Sequence, residues 1–524
     1  MNKQKKPKKT KKMEKSFEKF LERQSEKIHN MLKNVFTLLV TCRQFGDTGK
    51  GKFVDVFAHL WADIIARGTG GPNAGHTSIV DDEELITHTI PSGILHDCEG
   101  KVNVLTRDVV IDPRLFFGEL AELDKRKISY NHLMVSLNAH VITPMEIALD
   151  RIKESASGKG KIGSTCRGIG PCYTDFHDRQ GIIMNDLINP DIFLKKLKKQ
   201  AEYKKMIIQN YDPEMVAKIM NHEDSGLGFF YDWKEIFDIN AIYEQYIKYG
   251  ADLKYLLYDT ETFIKNSIGK KKILGEGSQG DLLSIDRGTY PYVTSSDCTA
   301  FGLAKSMGIH IGQVDLSLGI LKFPYMTRVG GGPFPSEMGG IFSDDWCNGG
   351  ESNREKEKVM YAGTTINEKN DYLRGFKVRE AGDEFGATTG RPRRTGDFDL
   401  PLLRYVMTFN SPDIAFTKLD VYNSVESIKI CTEYVYQGPT VFYGQKAIFK
   451  GEIIKTAIMD CDILRQCKPV YKVFPGWMCS LKDCSNYESL PEKLRNIIQF
   501  VVQETGIRPR IISVGRDREE TIFL

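Results

Sequence analysis

The segment QFGDTGKGK (44–52) has the composition of an anion loop. Gly46, Gly49 and Gly51 let backbone N–H groups approach a charged oxygen, and a helix opening there would add the positive end of its dipole. Lys50 and Lys52 contribute charge. The spacing is not that of the Walker loop, and a glycine-rich turn without any anion role would share this pattern. Asp47 is the unusual member: a carboxylate beside phosphates is costly unless it holds a magnesium ion or takes a proton.

Further along, GGPNAGHT (70–77) sets His76 among small residues that leave it accessible. GSTCRGIGP (163–171) is followed closely by Arg179, and GEGSQGDLLSIDRGTYPYVTSS (275–296) is a long loop dense in glycine and hydroxyls. Such loops are candidate ligand cradles. In EFGATTGRPRR (384–394), Pro392 stiffens the loop and spaces Arg391 and Arg393 to grip carboxylate or phosphate. TKLD (417–420) ends in an aspartate that could accept two N–H donors from guanine and would reject adenine, which presents a lone pair at N1. SVG (513–515) is the last such segment.

These loops need a scaffold. NVFTLLVTC (34–42) predicts a buried strand, and the repeat of Phe53, Phe57, Leu60 and Ile64 predicts a helix running through Ile64. Residues 102–106, 132–137, 271–277, 413–419, 426–436 and 508–515 predict further strands, with helices near 143–155, 190–208 and 489–505. Alternating strands and helices imply an α/β fold around a mostly parallel sheet. Residues 343–374 are polar and Gly/Asn-rich, the composition of a surface insertion.

The 524 residues have 41% hydrophobic composition, enough for a sizeable core. No apolar run approaches the roughly 20 residues of a membrane helix. Net charge is +3, but the first 33 residues hold 12 Lys/Arg against 4 Glu, leaving a mildly acidic body. A body that binds nucleic acid is not indicated. Residues 1–33 read as a solvated, partly disordered basic tail that turns helical from about Glu14. The 11 cysteines lack C-x-x-C pairs and no secretory signal is visible, so a reducing, cytoplasmic setting is expected.

Taken in order, these motifs, with VGGGPFPSE (329–337) and FPGW (474–477), resemble the adenylosuccinate synthetase family from about residue 34 to the last. The resemblance implies one large P-loop-like domain over 34–524, with a central twisted sheet and helical subdomains. It implies an enzyme that joins IMP to L-aspartate with GTP and Mg²⁺ through 6-phosphoryl-IMP, releasing GDP and phosphate. Asp47 matches the family's general base and magnesium ligand, His76 its general acid, and Gly75 a carbonyl ligand to the metal; Lys50 would neutralise charge on the transferring phosphoryl group. The IMP contacts fall on Asn73, Ala74, Thr165, Gln279 and Thr294. Arg179 matches an arginine that crosses a homodimer interface. Arg391 falls at ribose and aspartate, and Thr388 and Thr389 in a loop closing over aspartate. The GTP-binding positions are Gly46, Gly49, Gly51, Lys52, Thr77 and Arg393, with Lys418, Leu419, Asp420, Ser513 and Gly515 around guanine.

The chain departs from the family pattern in Thr48 for Glu, Gln180 after Arg179, Asp397 in TGDFD, and Arg516 after SVG. Thr48 and Pro72 resemble a phage-associated branch that joins aspartate to dGMP, although members of that branch tend to lack the aspartate found here as Asp47. A catalytically silent GTP-binding protein is the alternative of another class; the intact Asp47, His76, Arg391 and Arg393 argue against it.

Overall fold

A computed structural model of the chain describes residues 8–73, 75–80, 83–158, 161–220, 236–350, 352–386 and 390–524; for 8–17, 76–80, 83–86 and 220 the description is of backbone alone. Ten strands form the main sheet. From one edge they run Thr521–Phe523, Arg508–Ser513, Asp413–Thr417, Leu316–Lys322, Thr37–Cys42, Ile273–Glu276, Ile64–Arg67, Val102–Leu105, Leu133–Ser136 and Leu257–Tyr258. Every neighbouring pair is parallel except the Thr521–Phe523 edge strand, which is antiparallel. Thr37–Cys42 lies in the middle, fully buried, with partners from much later in the chain on both sides. A run buried on both faces is near-continuously apolar, which is why it stood out in the sequence.

Two assignments change. The helix after the glycine loop spans Lys50–Leu60 and stops there, and Ile64–Arg67 is a buried strand between Ile273–Glu276 and Val102–Leu105. Asp63 makes the switch: its N–H donates to Lys272 O at 2.8 Å, and its carboxylate accepts from Lys272 N at 2.8 Å. A short apolar run fits a helix face and a buried strand equally well, so only this pairing decides. The predicted strand at 426–436 exists as Ser427–Tyr436 but belongs to a second sheet with Tyr325–Arg328, Arg394–Asp399, Ile453–Ile454 and Cys467–Pro475. Its long antiparallel pairing with Cys467–Pro475 outcompetes a place in the parallel sheet.

The three largest apolar clusters among the described residues hold these parts together. One fills the space between the two sheets, around Phe323, Phe398 and Phe416. A second joins helices Pro113–Arg126, Pro144–Ala156, Pro190–Ile208 and Ile239–Leu253 into a helical subdomain. The third packs the Lys50–Leu60 helix on the central strands and includes Phe20.

Phe20 belongs to the expected solvated tail. Instead a helix covers Lys8–Leu32, and Phe20 is 1% exposed. Gln24 donates to Ser485 O at 2.8 Å and accepts from Phe523 N at 3.1 Å, which caps the edge of the main sheet. The lysines dominate the composition, while an apolar face carried by a few residues does the docking.

The 343–374 segment folds as helices Ile341–Asn348 and Arg354–Met360 laid on helix Asp371–Gly382. Tyr361 stacks on Phe376 with centroids 3.8 Å apart, and Glu357 pairs with Arg379 at 2.6 Å. Asp397, one of the departures, accounts for itself here: it receives both Arg374 guanidinium nitrogens at 2.9 and 2.8 Å, pinning the Asp371–Gly382 helix to the second sheet. Among the described residues no helix is long and apolar enough to cross a membrane.

Candidate active site

Five loops meet at the carboxyl ends of the parallel strands. They follow Thr37–Cys42, Ile64–Arg67, Ile273–Glu276, Asp413–Thr417 and Arg508–Ser513. Because the central strand's neighbours come from elsewhere in the chain, their connections diverge and leave a crevice there.

The glycine loop turns through left-handed conformations at Gly46 (φ 86), Asp47 (φ 50) and Gly49 (φ 81). For Asp47 that geometry is strained and holds the carboxylate in place. Gly280 must lack a side chain, since a Cβ there would lie 2.3 Å from Gln44 O and 2.6 Å from Gly46 N. Thr417 Oγ1 donates to Thr48 O at 2.8 Å, tying the loop to the Asp413–Thr417 strand. Lys50 Nζ donates to Gln279 O at 2.6 Å. The Thr48 hydroxyl, where the family pattern has a carboxylate, is buried with no hydrogen-bond partner among the described residues.

Asp47 faces cations. Its carboxylate lies 2.8 Å from Arg393 Nε. Burial pushes its pKa up, but Arg393, Lys322 and Lys50 outweigh that effect and hold it below the ordinary carboxylate value. Arg393 is itself oriented by Glu384 at 2.8 Å. Glu384 also receives Lys322 Nζ at 2.6 Å and the Tyr325 hydroxyl at 2.7 Å. Burial lowers the Lys322 pKa to about 8. Against burial, Lys322, Lys418 and Arg393 hold the Glu384 carboxyl far below its usual range.

On the other side, Gln279 Nε2 donates to Asn73 Oδ1 at 3.1 Å, joining two predicted binding positions. Arg167 Nη1 donates to Pro72 O at 2.8 Å, tying the 163–171 segment to the 70–77 segment. Arg391 is exposed, and its charge acts on Cys166, next to Thr165. Thr294 Oγ1 is buried and has no hydrogen-bond partner among the described residues, as a hydroxyl awaiting a ligand would be.

The third face is built by Lys418–Asp420 and Ser513–Gly515. Lys418 takes a left-handed turn (φ 62) and donates to Gly382 O at 2.7 Å, with Leu419 buried behind it. Burial raises the Asp420 pKa, against Lys418 and Arg516, which lower it. Lys52 serves this face, not the glycine loop: its Nζ donates to Ser513 Oγ at 2.7 Å, Gly515 O at 2.9 Å and Glu520 O at 3.1 Å.

The predicted residues thus fall into groups. Asp47, Lys50 and Arg393 come together, as do Asn73 and Gln279, and Lys418–Asp420 and Ser513–Gly515 form one face. Arg179 is exposed after helix Ile169–His177, and among the described residues its side chain makes no hydrogen bond or ion pair with these loops. Ala74, Thr388 and Thr389 lie outside the described residues; Gly75 borders the crevice loop, and for His76 and Thr77 the description is of strand backbone. Lys322, Glu384 and Arg167 were not singled out from the sequence. The one local signal was a lysine closing an otherwise apolar run at 316–322.

An α/β enzyme with an ionised carboxylate inside its anion loop is the class that fold and site define. The adenylosuccinate synthetase family model matches residues 39–522. The adenylosuccinate synthetase of Geobacter sulfurreducens is 37% identical over 491 residues, covering 93% of this chain and 98% of that protein. That of Desulforamulus reducens is 38% identical over 490 residues, with the same coverage of 93% and 98%. The solved structure of fully ligated adenylosuccinate synthetase from Plasmodium falciparum superposes with a TM-score of 0.73 at 29% identity, covering 93% of this chain and 100% of that one. The chain belongs to the adenylosuccinate synthetase family, ligases of purine biosynthesis.

Proposed function

We propose that this enzyme condenses IMP with L-aspartate at the expense of GTP, through 6-phosphoryl-IMP. The observation that carries this reading is Asp47, kept ionised at an anion loop by Arg393, Lys322 and Lys50. Asp47 takes the N1 proton of IMP, and the electron pair moves to O6. O6 attacks the γ-phosphorus of GTP as the bond to GDP breaks, with Lys50 and His76 on the transferring group. The aspartate amine then attacks C6, phosphate departs with O6, and the surplus proton on the new C–N nitrogen is lost to water. Arg391 and the loop carrying Thr388 and Thr389 hold aspartate.

An ionised carboxylate that tolerates nearby phosphates suits a magnesium ligand, and the Gly75 carbonyl would be the second. When bound, that ion would neutralise charge on the phosphates. Asp420 reads guanine. Arg179, exposed and without a side-chain partner among the described residues, reaches the neighbouring site of a homodimer. Eleven free thiols fit a reducing cytoplasm.

Purified protein with GTP, Mg²⁺ and aspartate tests the reading, with IMP or dGMP as the varied substrate. Adenylosuccinate should form from IMP. No product from IMP, or product from dGMP alone, overturns it.

A further inference from the structure

A second group of chemically active side chains lies behind the glycine loop. His59 is in the last turn of the Lys50–Leu60 helix, and His96 and Glu99 are in the short helical turn Ser92–Glu99. One ligand atom from each lies within 4.8 Å of the others. Glu99 Oε1 is 3.5 Å from His59 Nδ1 and 3.2 Å from His96 Nδ1. The edge of a tetrahedron around a metal with bonds of about 2.0–2.1 Å is about 3.3–3.4 Å. Both imidazole-to-carboxylate distances are therefore already near the spacing of a coordination sphere, and the two imidazole nitrogens lie within 4.8 Å of each other.

The other nitrogen of His96 makes the stronger argument. His96 Nε2 is 3.0 Å from Asp55 Oδ1, and Asp55 is held in turn by Arg518, whose Nη2 donates at 2.6 Å. A carboxylate behind an imidazole fixes the proton on the nitrogen it faces. That leaves the His96 Nδ1 lone pair pointing at the Glu99 carboxylate, two acceptors 3.2 Å apart. Something positive must sit between them, either a proton or a metal ion. The His59 ring, 5.0 Å from that of His96, adds a second imidazole beside the same carboxylate.

We propose that His59, His96 and Glu99 bind a divalent transition-metal ion of the zinc class, at a site separate from the magnesium expected at Asp47. Two imidazoles and one carboxylate select such an ion over magnesium or calcium, which prefer all-oxygen sets. His96 is buried at 6% side-chain exposure, while His59 at 32% and Glu99 at 40% leave a fourth position open to water and a path for entry. The ion clamps the Ser92–Glu99 turn to the Lys50–Leu60 helix. Through Asp55 and Arg518 it also steadies the segment after Gly515, which Lys52 holds from the same helix.

The full-length protein, stripped with a chelator and dialysed, is titrated with Zn²⁺ against a chromophoric chelator in the presence of millimolar Mg²⁺. One equivalent of Zn²⁺ should bind per chain and raise the melting temperature. His59→Asn and Glu99→Gln, both partly exposed, should each weaken binding at least about tenfold and remove the thermal shift. Cys98→Ser, which alters the exposed thiol in the same turn, should change neither. Cobalt(II) on the wild-type protein gives a readout independent of any variant: ligand-field bands of a four-coordinate N/O site, without a thiolate charge-transfer band. Absence of stoichiometric Zn²⁺ binding, undiminished binding in both variants, or a thiolate band would overturn the assignment.

Discussion

Arg393 stands between two carboxylates, 2.8 Å from Asp47 and 2.8 Å from Glu384. One guanidinium thus links the carboxylate of the glycine loop to a buried Lys322–Glu384 pair. Removing the Asp47 charge leaves Arg393 held by Glu384. Asp47→Asn should therefore fold normally and still bind GTP, yet lose turnover by several powers of ten. Loss of base catalysis alone is worth about 10²–10⁴. Steady-state kinetics and GTP titration of the variant test this, and a near-normal kcat refutes Asp47 as the base.

Asp420 should make GTP the preferred donor. Guanine gives the carboxylate two charge-assisted hydrogen bonds, whereas adenine turns a lone pair toward a carboxylate that burial already strains. Asp420→Asn should narrow the gap, because an amide can donate to adenine N1. The measurement is kcat/KM for GTP and ATP in both proteins; ATP within about tenfold of GTP in the wild type contradicts the guanine assignment.

How much of this was visible in the sequence depended on locality. Thr37–Cys42 and Asp413–Thr417 were legible because a strand buried on both faces reads as a short, near-continuous apolar run. The glycine loop was legible because left-handed turns need glycine in a short window. Ile64–Arg67 was not, since its identity rests on Asp63 meeting Lys272, 209 residues away. The orientation of Arg393 was hidden for the same reason: Glu384 opens the motif that was noticed, but its partner Lys322 lies 62 residues earlier. The resemblance supplied a subunit-crossing role for Arg179 that no local pattern carries.

Arg179 offers a test of subunit sharing. With no partner among the described residues of its own chain, Arg179→Leu should leave stability unchanged and raise KM for IMP more than KM for GTP. Mixed with Asp47→Asn chains, half-defective dimers should form one intact site. Partial recovery of activity after verified subunit exchange is the expected result, and no recovery counts against a shared site.

The amino-terminal helix should matter for stability and not for chemistry. Phe20 packs against Phe523, with centroids 6.4 Å apart, and Phe523 packs against Phe57 of the Lys50–Leu60 helix at 6.3 Å. Phe20→Ala should cost about 3 kcal/mol in denaturant unfolding, the usual size for a fully buried phenylalanine. Deleting residues 1–33 should destabilise at least as much. The steady-state constants of the folded variants should stay close to wild type, because no predicted site residue lies in this helix. Unchanged stability in both variants would show that the helix does not dock in solution.

His140 should make the fold acid-sensitive. Its ring is 1% exposed, 4.3 Å from that of Phe176 and 6.1 Å from that of Tyr173, and neither ring nitrogen has a hydrogen-bond partner among the described residues. Burial above all, and then the positive charges of Arg107, His177 and Lys305, lower its pKa to about 4. The unfolded chain takes up this proton below about pH 6.5, the folded chain only below about pH 4. Between these values unfolding binds a proton, so the neutral ring's contribution is fully present above pH 6.5 and is lost as pH falls toward 4. The contribution is about 3 kcal/mol. His140→Phe cannot take the proton, so between pH 7 and pH 4.5 it should lose roughly 2–3 kcal/mol less stability than wild type. Other titrating groups cancel in that difference. Tyr173 links this site to the crevice, since its hydroxyl accepts from Gly70 N at 3.1 Å and donates to Asp108 O at 2.5 Å. Denaturant midpoints of both proteins at the two pH values decide the matter, and parallel pH dependences would show that His140 is not the group responsible.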